Sequence, residues 1–110
     1  MKESVLLSNL RLELSKRFHG RAVFWRNNCG FNAVAKVKYG LCNGSADLIG
    51  CVAGIFVAIE TKKPGGKVHE PDQKLFKAVV ESHGGVYALV DNVEDGCRVV
   101  EQVIIEEDSR

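Results

Sequence analysis

The sequence predicts an α/β protein in which helices pack against a central sheet. Leucines at helical spacing occupy the N-terminus, two short apolar segments joined by a turn fill the middle, and a second helical pattern followed by an apolar strand fills the C-terminal half. Strands that are apolar on both faces belong to sheets covered by helices. The predicted order of elements, α-β-β-β-α-β-α, therefore indicates a sheet with helices packed on it.

The first predicted element is a helix over residues 3–18. Its apolar stripe, at the 3-4-4 spacing of one helical face, consists of Leu7, Leu10, Leu14 and Phe18. Extending the stripe back by four residues reaches Glu3, near the centre of the stripe, whereas Glu13 lies about 100° away from it. Val5 and Leu12 form a smaller apolar line on the opposite side, which indicates a contact with something else, such as a second subunit.

Three strands are predicted in the middle of the chain. Residues 21–26 have the pattern of a strand, and residues 27–45 are predicted to be a loop rich in Asn and Gly. Long loops in compact domains are often binding loops. Residues 46–51 and 55–62 are then predicted to pair as a hairpin around residues 52–54.

The C-terminal part begins with a turn-rich loop over residues 63–71, which holds both prolines and two glycines. A helix over residues 71–83 follows, then a strand over 84–90. Residues 93–105 are predicted to be a closing helix, and a helix followed by a strand is the alternative. Pro71 suits the first turn of its helix. The apolar stripe predicted for that helix consists of Leu75, Phe76, Val79 and Val80.

The composition is that of an ordinary globular protein. The 110 residues are 45% hydrophobic and 26% charged, which predicts one domain over residues 1–110. There is no run of roughly 18 to 20 apolar residues and no signal-peptide pattern, and no two of the four cysteines have metal-ligand spacing. We therefore expect reduced thiols and a cytoplasmic location. Phe24, Trp25 and Cys51 are expected in the core.

Charge is distributed unevenly along the chain. Residues 1–79 hold 13 Lys or Arg and 6 Asp or Glu, a balance of +7, whereas residues 80–110 hold 2 and 8, a balance of −6. A basic part of this size suits a polyanionic partner such as DNA. A solvated surface with an acidic tail explains the charges equally well.

Charged side chains interrupt the apolar strand pair at one end. Asp47 opens the first strand, and Glu60 and Lys62 close the second. The predicted hairpin places Asp47 opposite residues 59–61. Because side chains alternate along a strand, Glu60 and Lys62 share one face and Thr61 faces away.

Two carboxylates at such short range resist joint ionisation, and a divalent cation removes the conflict. Mg²⁺ takes one or two carboxylates with backbone oxygen and water, a set that Asp47, Glu60 and the carbonyl of Thr61 would supply. Lys62 would orient or help to deprotonate a water there. The alternative is a salt-bridge cluster in which Lys62 neutralises one acid, and these residues alone leave both interpretations open.

Four ordered segments carry a resemblance to a known family. They are "GSADLIG", "VAIETKKPGGK", "DQKLF" and "HGGVYALVDNVEDG", and together they resemble the VRR-Nuc family of the PD-(D/E)xK nuclease superfamily. The resemblance covers roughly residues 3–95. It implies a restriction-endonuclease-like core with a mixed central sheet flanked by helices. The chain departs from the family's V-R-R stretch, since it reads "ETKK" at that place.

The resemblance also implies roles for individual residues. It assigns Asp47 and Glu60 as metal-binding acids, Thr61 as a ligand through its backbone carbonyl, Lys62 as the catalytic lysine and Gln73 as a residue that supports the active site.

An acid on the first helix often completes such sites. Glu3 is the predicted residue because its place in the apolar stripe points it at the sheet, and Glu13 is the reserve candidate.

Basic residues near this corner are candidates for contacts with DNA phosphates. Lys63 and Lys67 lie in the glycine-rich loop that follows the strand pair. Arg26, Lys36 and Lys38 form a possible DNA-facing strip, and a plain solvated loop is the alternative.

The predicted function is that of a Mg²⁺- or Mn²⁺-dependent deoxyribonuclease. Small members of the family resemble homodimeric resolvases of branched DNA such as Holliday junctions, so we expect a homodimer and a phage origin. One alternative is a nucleic-acid-binding module of the same fold without catalysis. Another is a structural or inhibitory protein whose acidic C-terminal third mimics DNA or binds a basic partner.

Overall fold

The chain folds into a four-stranded mixed sheet with helices on both faces, accompanied by a small two-stranded hairpin. The structure, a computed structural model, describes residues 2–28, 30–39, 45–62 and 71–110, and of residues 30–32 and 37–39 it describes the backbone. In chain order the elements are α1 (Glu3–Arg17), β1 (Ala22–Arg26), β2 (Gly30–Asn32), β3 (Val37–Tyr39), β4 (Leu48–Val52), β5 (Ile55–Thr61), α2 (Pro71–Ser82), β6 (Val86–Val90) and α3 (Val93–Asp108).

The predicted α/β class and the order of the main elements are confirmed, and the main correction falls in the segment 27–45. This segment was predicted to be a loop, but it contains the antiparallel pair β2–β3, in which Gly30 pairs with Tyr39. Each strand has only three residues, which is too short for an alternating pattern to reveal. The closing helix also extends to Asp108 rather than ending at residue 105.

The main sheet has the strand order β1-β4-β5-β6. The pairs β1–β4 and β4–β5 are antiparallel, whereas β5 and β6 are parallel and are joined through α2. The predicted hairpin therefore forms, with a turn at Ala53 and Gly54 whose φ angles are 49° and 86°. Two successive positive φ angles are characteristic of the tight turns that join antiparallel strands.

One face of the sheet is covered by α1 and α3, and their interface with the sheet forms the main core. Gly96 allows this packing, because a Cβ at that position would overlap the side chain of the fully buried Leu10. The fully enclosed side chains of this core (exposure below 2%) include Leu10, Leu14, Leu48, Val52, Val57, Ile59 and Val100.

The other face of the sheet is only partly covered. Val80 and Phe76 of α2 pack over a small second cluster that includes Ile49, Ala58 and Tyr87. This partial cover explains where the predicted core residues differ from the observed ones.

Trp25 and Cys51 were predicted in the core but are exposed, Trp25 by 49%, because they lie on the part of the sheet that α2 does not reach. Leu75 (65%) and Val79 (49%) of the predicted helix stripe are exposed as well. Phe24 does pack against the main core. Val5 and Leu12 are exposed on α1, as their separate apolar line predicted.

In the part of the chain that the structure describes, no helix is both long and apolar enough to cross a membrane.

Gly50→Ala should destabilise the fold, because β1 lies directly against this position of β4. A Cβ at Gly50 would overlap the backbone carbonyl oxygen of Val23 and the ring of Phe24. A backbone oxygen in a paired strand cannot move aside, so we expect the free energy of unfolding to fall by about 1–3 kcal/mol. Urea unfolding measures this. The exposed neighbour Cys51→Ala is the control, with an expected change within about 0.5 kcal/mol. Equal unfolding midpoints for the two variants would contradict the packing described.

Candidate active site

The strand register brings two acids face to face. In the β4–β5 pair Leu48 lies opposite Ile59, so the next position places Asp47 opposite Glu60. This agrees with the predicted opposition of Asp47 to residues 59–61. Asp47 lies close enough to Glu60 to raise the pKa of the Glu60 carboxyl group through hydrogen bonding and through its negative charge. Two acidic side chains on adjacent strands therefore meet directly at the end of the sheet.

Glu60 is almost completely buried, with 4% of its surface exposed. Burial, followed by the hydrogen bond and the negative charge of Asp47, raises the pKa of Glu60 to about 9, although the charge of Lys62 offsets part of this rise. The protonated form is therefore the stable one at neutral pH when no cation is present. In that state Glu60 is neutral, which avoids the repulsion of two ionised carboxylates at short range.

Asp47 is held by bonds from β5. Its Oδ2 accepts hydrogen bonds from the Thr61 backbone N–H at 3.2 Å and from the Thr61 hydroxyl at 3.0 Å. Thr61 was expected to face away from the acids, but its hydroxyl turns to Asp47 where β4 begins. The side chain of Asp47 is therefore oriented by β5 as well as by its own strand.

Asn27 fixes the backbone that leads into Asp47. Its backbone N–H donates to the Asp47 carbonyl at 2.8 Å. Its side-chain amide donates to the Ser45 hydroxyl at 2.8 Å and to the Ala46 carbonyl at 2.9 Å. Sequence reasoning missed this role, because an Asn in an Asn-rich segment carries no signal until the β1–β4 register places it beside residues 45–47.

Gln73 supports the second acid. Its side-chain amide donates to Glu60 Oε2 at 3.0 Å, and the residue is 9% exposed in the first turn of α2. This contact is the kind of support that the family resemblance implies for Gln73. It also fixes the rotamer of Glu60, because both Gln73 and Asp47 hold the same carboxyl group.

Lys62 lies two residues after Glu60 and is half-buried, with its backbone N–H bonded to the Val90 carbonyl at 2.9 Å. In the described ranges no ion pair within 4.0 Å joins Lys62 to Asp47 or Glu60. Its charge nevertheless acts on Glu60, whose pKa it lowers. The salt-bridge interpretation requires a direct contact that the structure does not contain.

Tyr87 lies near the acid pair and was not predicted from the sequence. It is 7% exposed, and its hydroxyl has no hydrogen-bond partner among the residues described. Burial and the charges of Glu60 and Asp47 raise its pKa to about 12. The alternation of "VYALV" places Tyr87 on one face with Leu89, the partner of Glu60, but only the β5–β6 register connects it to the site.

The two candidate acids of α1 have different surroundings. Glu13 accepts a 2.7 Å bond from Arg17, which also binds Glu94 of α3, so Glu13 belongs to a surface ion-pair network. Glu3 is half-buried in the first turn of α1. Within the described ranges, no group of three or more His, Cys, Asp or Glu side chains that could hold a metal ion is found. A role for Glu3 remains a prediction.

The predicted DNA-contacting residues are only partly described. Lys63 and Lys67 lie outside the described residues, as does the side chain of Lys38. Lys36 is exposed in the turn between β2 and β3. Arg26 is exposed too, but it pairs with Leu48 of the main core, so strand alternation places it on the face opposite the acid pair.

The chemistry of the acid pair fits a hard divalent cation. Two carboxyl groups in contact at a buried position can both ionise when a cation takes the place of the shared proton. Asp47 and Glu60 are oxygen donors, and among the described residues each is held by a neutral donor, Thr61 or Gln73. Mg²⁺ and Mn²⁺ suit such oxygen-donor sites.

Comparison with known proteins assigns no family: no protein-family model matches the chain, and no curated protein matches it. The resemblance to the VRR-Nuc family therefore depends on the four sequence segments quoted above.

Glu60→Gln should remove a dependence of stability on pH. The folded chain keeps the Glu60 proton up to a pH of about 9, whereas the unfolded chain releases it near the ordinary value of 4.5. Between these values the folded state binds one proton more, so stability falls as pH rises, by at most about 1.4 kcal/mol per pH unit for one group. The variant cannot titrate there, so its stability relative to the wild type should increase from pH 5 to pH 9.

Urea unfolding in EDTA across this pH range measures the difference between the two proteins. Glu101→Gln, an exposed position on α3, is the matched control and should follow the wild-type curve. If the curves of wild type and Glu60→Gln run parallel, the buried acid pair as described is wrong.

Proposed function

We propose that the protein is a divalent-metal-dependent DNA endonuclease with a PD-(D/E)xK core of the VRR-Nuc type. The observation that carries the proposal is the opposition of Asp47 to the buried Glu60 at the end of the β4–β5 pair, where Asp47 raises the pKa of Glu60. Structural proteins gain little from such a pair, because it costs ionisation free energy without a compensating cation. A metal-binding site gives this arrangement a purpose.

The topology supports the proposal. One helix, an antiparallel group of three strands, a crossover helix and a parallel strand follow one another as α1, β1, β4, β5, α2 and β6. One acid, Asp47, immediately precedes β4, the other, Glu60, lies in β5, and the lysine lies two residues beyond the second acid. This is the order of parts that the family resemblance implies.

Asp47, Glu60 and the Thr61 backbone carbonyl would hold Mg²⁺ or Mn²⁺, and Glu3 is a possible fourth contributor. When bound, the cation would supply Lewis-acid stabilisation of the charge that develops on the phosphate. The protein's own part is to keep the acids in position. Thr61 orients Asp47 and Gln73 orients Glu60, so little motion is needed before reaction.

Lys62 would act on the attacking water. Strand alternation puts its side chain on the same face as Glu60, and no acid within 4.0 Å neutralises it among the residues described. An amine with that freedom can hold the water by a hydrogen bond and offset negative charge at the phosphate as the proton leaves.

The substrate proposed is branched DNA, such as a Holliday junction, recognised by shape and backbone contacts. We also propose that the protein acts in the cytoplasm as a homodimer, because a two-fold pair of active sites suits cleavage of two strands. The exposed line of Val5 and Leu12 on α1 is the proposed contact between subunits.

Divalent cations should stabilise the wild-type protein. A ligand that binds only the folded state at about one hundred times its Kd adds about 2.7 kcal/mol, which raises the melting temperature by roughly 10 °C for a domain of this size. Asp47→Asn and Glu60→Gln should lose this shift with Mg²⁺ and Mn²⁺, whereas Lys62→Met should keep it. Differential scanning calorimetry with and without EDTA measures the shift. A full shift in Asp47→Asn would place the cation elsewhere.

Nuclease activity should require the cation, the acids and the lysine. Purified protein is incubated with a four-way junction, a duplex and a single strand in Mg²⁺, Mn²⁺ or EDTA. We expect cleavage only with the cations, and a fall of at least about a hundredfold in Asp47→Ala and in Lys62→Ala. Lys77→Ala, an exposed lysine on α2, is the matched control.

Two results would contradict the proposal: cleavage in EDTA, or unimpaired cleavage by Asp47→Ala. If Lys62→Ala binds the junction and cuts it as well as the wild type, the role assigned to the lysine is wrong. Binding by the wild type without any cleavage would favour the non-catalytic binding module.

A further inference from the structure

Part of one sheet face lies uncovered beside the acid pair. On this face α2 packs over Ile49, Ala58 and Tyr87, and no described helix extends over β1. We define the bare sheet face as the exposed residues Val23 (59%), Trp25 (49%), Cys51 and Phe56 (40%). Exposed aromatic and aliphatic side chains that adjoin one another on a sheet mark a binding surface.

The strand register connects this surface to the acids. Trp25 pairs with Ile49, and cross-strand partners lie on the same face. Ile49 is two residues from Asp47 in the same strand direction, so it shares a face with Asp47. Strand spacings place the Cα atom of Trp25 about 8 Å from that of Asp47, one strand across and two residues along.

We propose that Trp25 stacks against an unpaired base of the DNA strand whose phosphate lies at Asp47 and Glu60. This inference rests on the proposed function, because it takes the acid pair as the place of the phosphate. Because the Cα atoms of Trp25 and Asp47 are about 8 Å apart, a base stacked on Trp25 belongs to a nucleotide next to that phosphate. The substrate class is then DNA with an unpaired base beside the scissile bond, since a base within a duplex has no free face to offer.

The position of Trp25 favours a base over a second copy of the chain. The residues of the bare sheet face carry no charge, as a stacking surface for bases requires, and Lys62 lies on the same side of the sheet to meet the phosphate. A protein seated on this surface would lie within about 8 Å of Asp47 and would obstruct the approach of a nucleic-acid strand. A second copy is therefore the competing occupant that the experiment must distinguish.

The chain contains one tryptophan, so intrinsic fluorescence reports on Trp25 alone. The full-length protein is titrated in EDTA with a 12-nucleotide oligothymidylate, a blunt duplex and a four-way junction with an unpaired base at its branch. We expect saturable quenching by the oligothymidylate and by the junction, and little quenching by the duplex. Because EDTA prevents cleavage, the measurement does not depend on catalysis.

Affinity for the oligothymidylate is measured by the anisotropy of a labelled strand. Trp25→Ala should weaken binding by about tenfold or more, whereas Trp25→Phe should restore most of the affinity because its ring also stacks. Ile105→Ala, at a comparably exposed apolar position on α3, should bind like the wild type. In the double variant Trp25→Phe, Ile105→Trp, the only tryptophan lies on α3 instead of β1. DNA should not quench its fluorescence, because no base stacks there.

Several outcomes overturn the inference. The inference is wrong if Trp25 emission does not change while anisotropy shows that the oligothymidylate is bound. It is also wrong if the blunt duplex quenches the emission as strongly as the oligothymidylate does. An emission shift that depends on protein concentration without DNA would assign the surface to a second copy. If Trp25→Ala cleaves DNA normally and the fluorescence of the wild type is not quenched, the nuclease proposal stands and the stacking proposal is wrong. If DNA quenches the wild-type fluorescence but is not cleaved when Mg²⁺ or Mn²⁺ is present, Trp25 binds a base and the nuclease proposal is wrong.

Discussion

The contact between the carboxyl groups of Asp47 and Glu60 is the constraint on which the rest of the site depends. Glu60 lies where water is largely excluded and Asp47 is half-buried beside it, so ionising Glu60 next to Asp47 costs free energy. The groups around the two acids are consistent with a pair that is not fully ionised. Thr61 and Gln73 donate neutral hydrogen bonds to the pair, and in the described part of the chain no ion pair within 4.0 Å joins Lys62 to either acid. Among the residues that the structure describes, the two acids are therefore kept together without an ion pair to either of them.

Much of the fold was predictable because its signals are local. The leucine spacing of α1, the turn between β4 and β5, and Pro71 at the start of α2 each follow from a short stretch of sequence. The opposition of Asp47 to Glu60 was predictable for the same reason, since a tight turn fixes the register of the hairpin. Within that hairpin one residue of error would have turned the acids to opposite faces.

The failures concern information that a local pattern does not carry. Trp25 and Cys51 have the composition of core residues, and only the limited extent of α2 leaves them exposed. The roles of Asn27 and Tyr87 depend on which strands become neighbours, so no spacing within their own segments reveals them. The same limit applies to Glu3, whose helical phase points it at the sheet without fixing how close it comes to Asp47.

The placement of β5 has a consequence for how the site behaves over time. β5 is paired on both sides, with β4 and β6, as far as Ile59, and Glu60 and Thr61 continue the pairing with β6 alone. Amide protons in the doubly paired part exchange with solvent only through the rare openings that disrupt the whole domain. The strand that carries Glu60 is therefore anchored in the interior of the sheet up to the residue before the acid, which limits how far that acid can shift when a molecule binds.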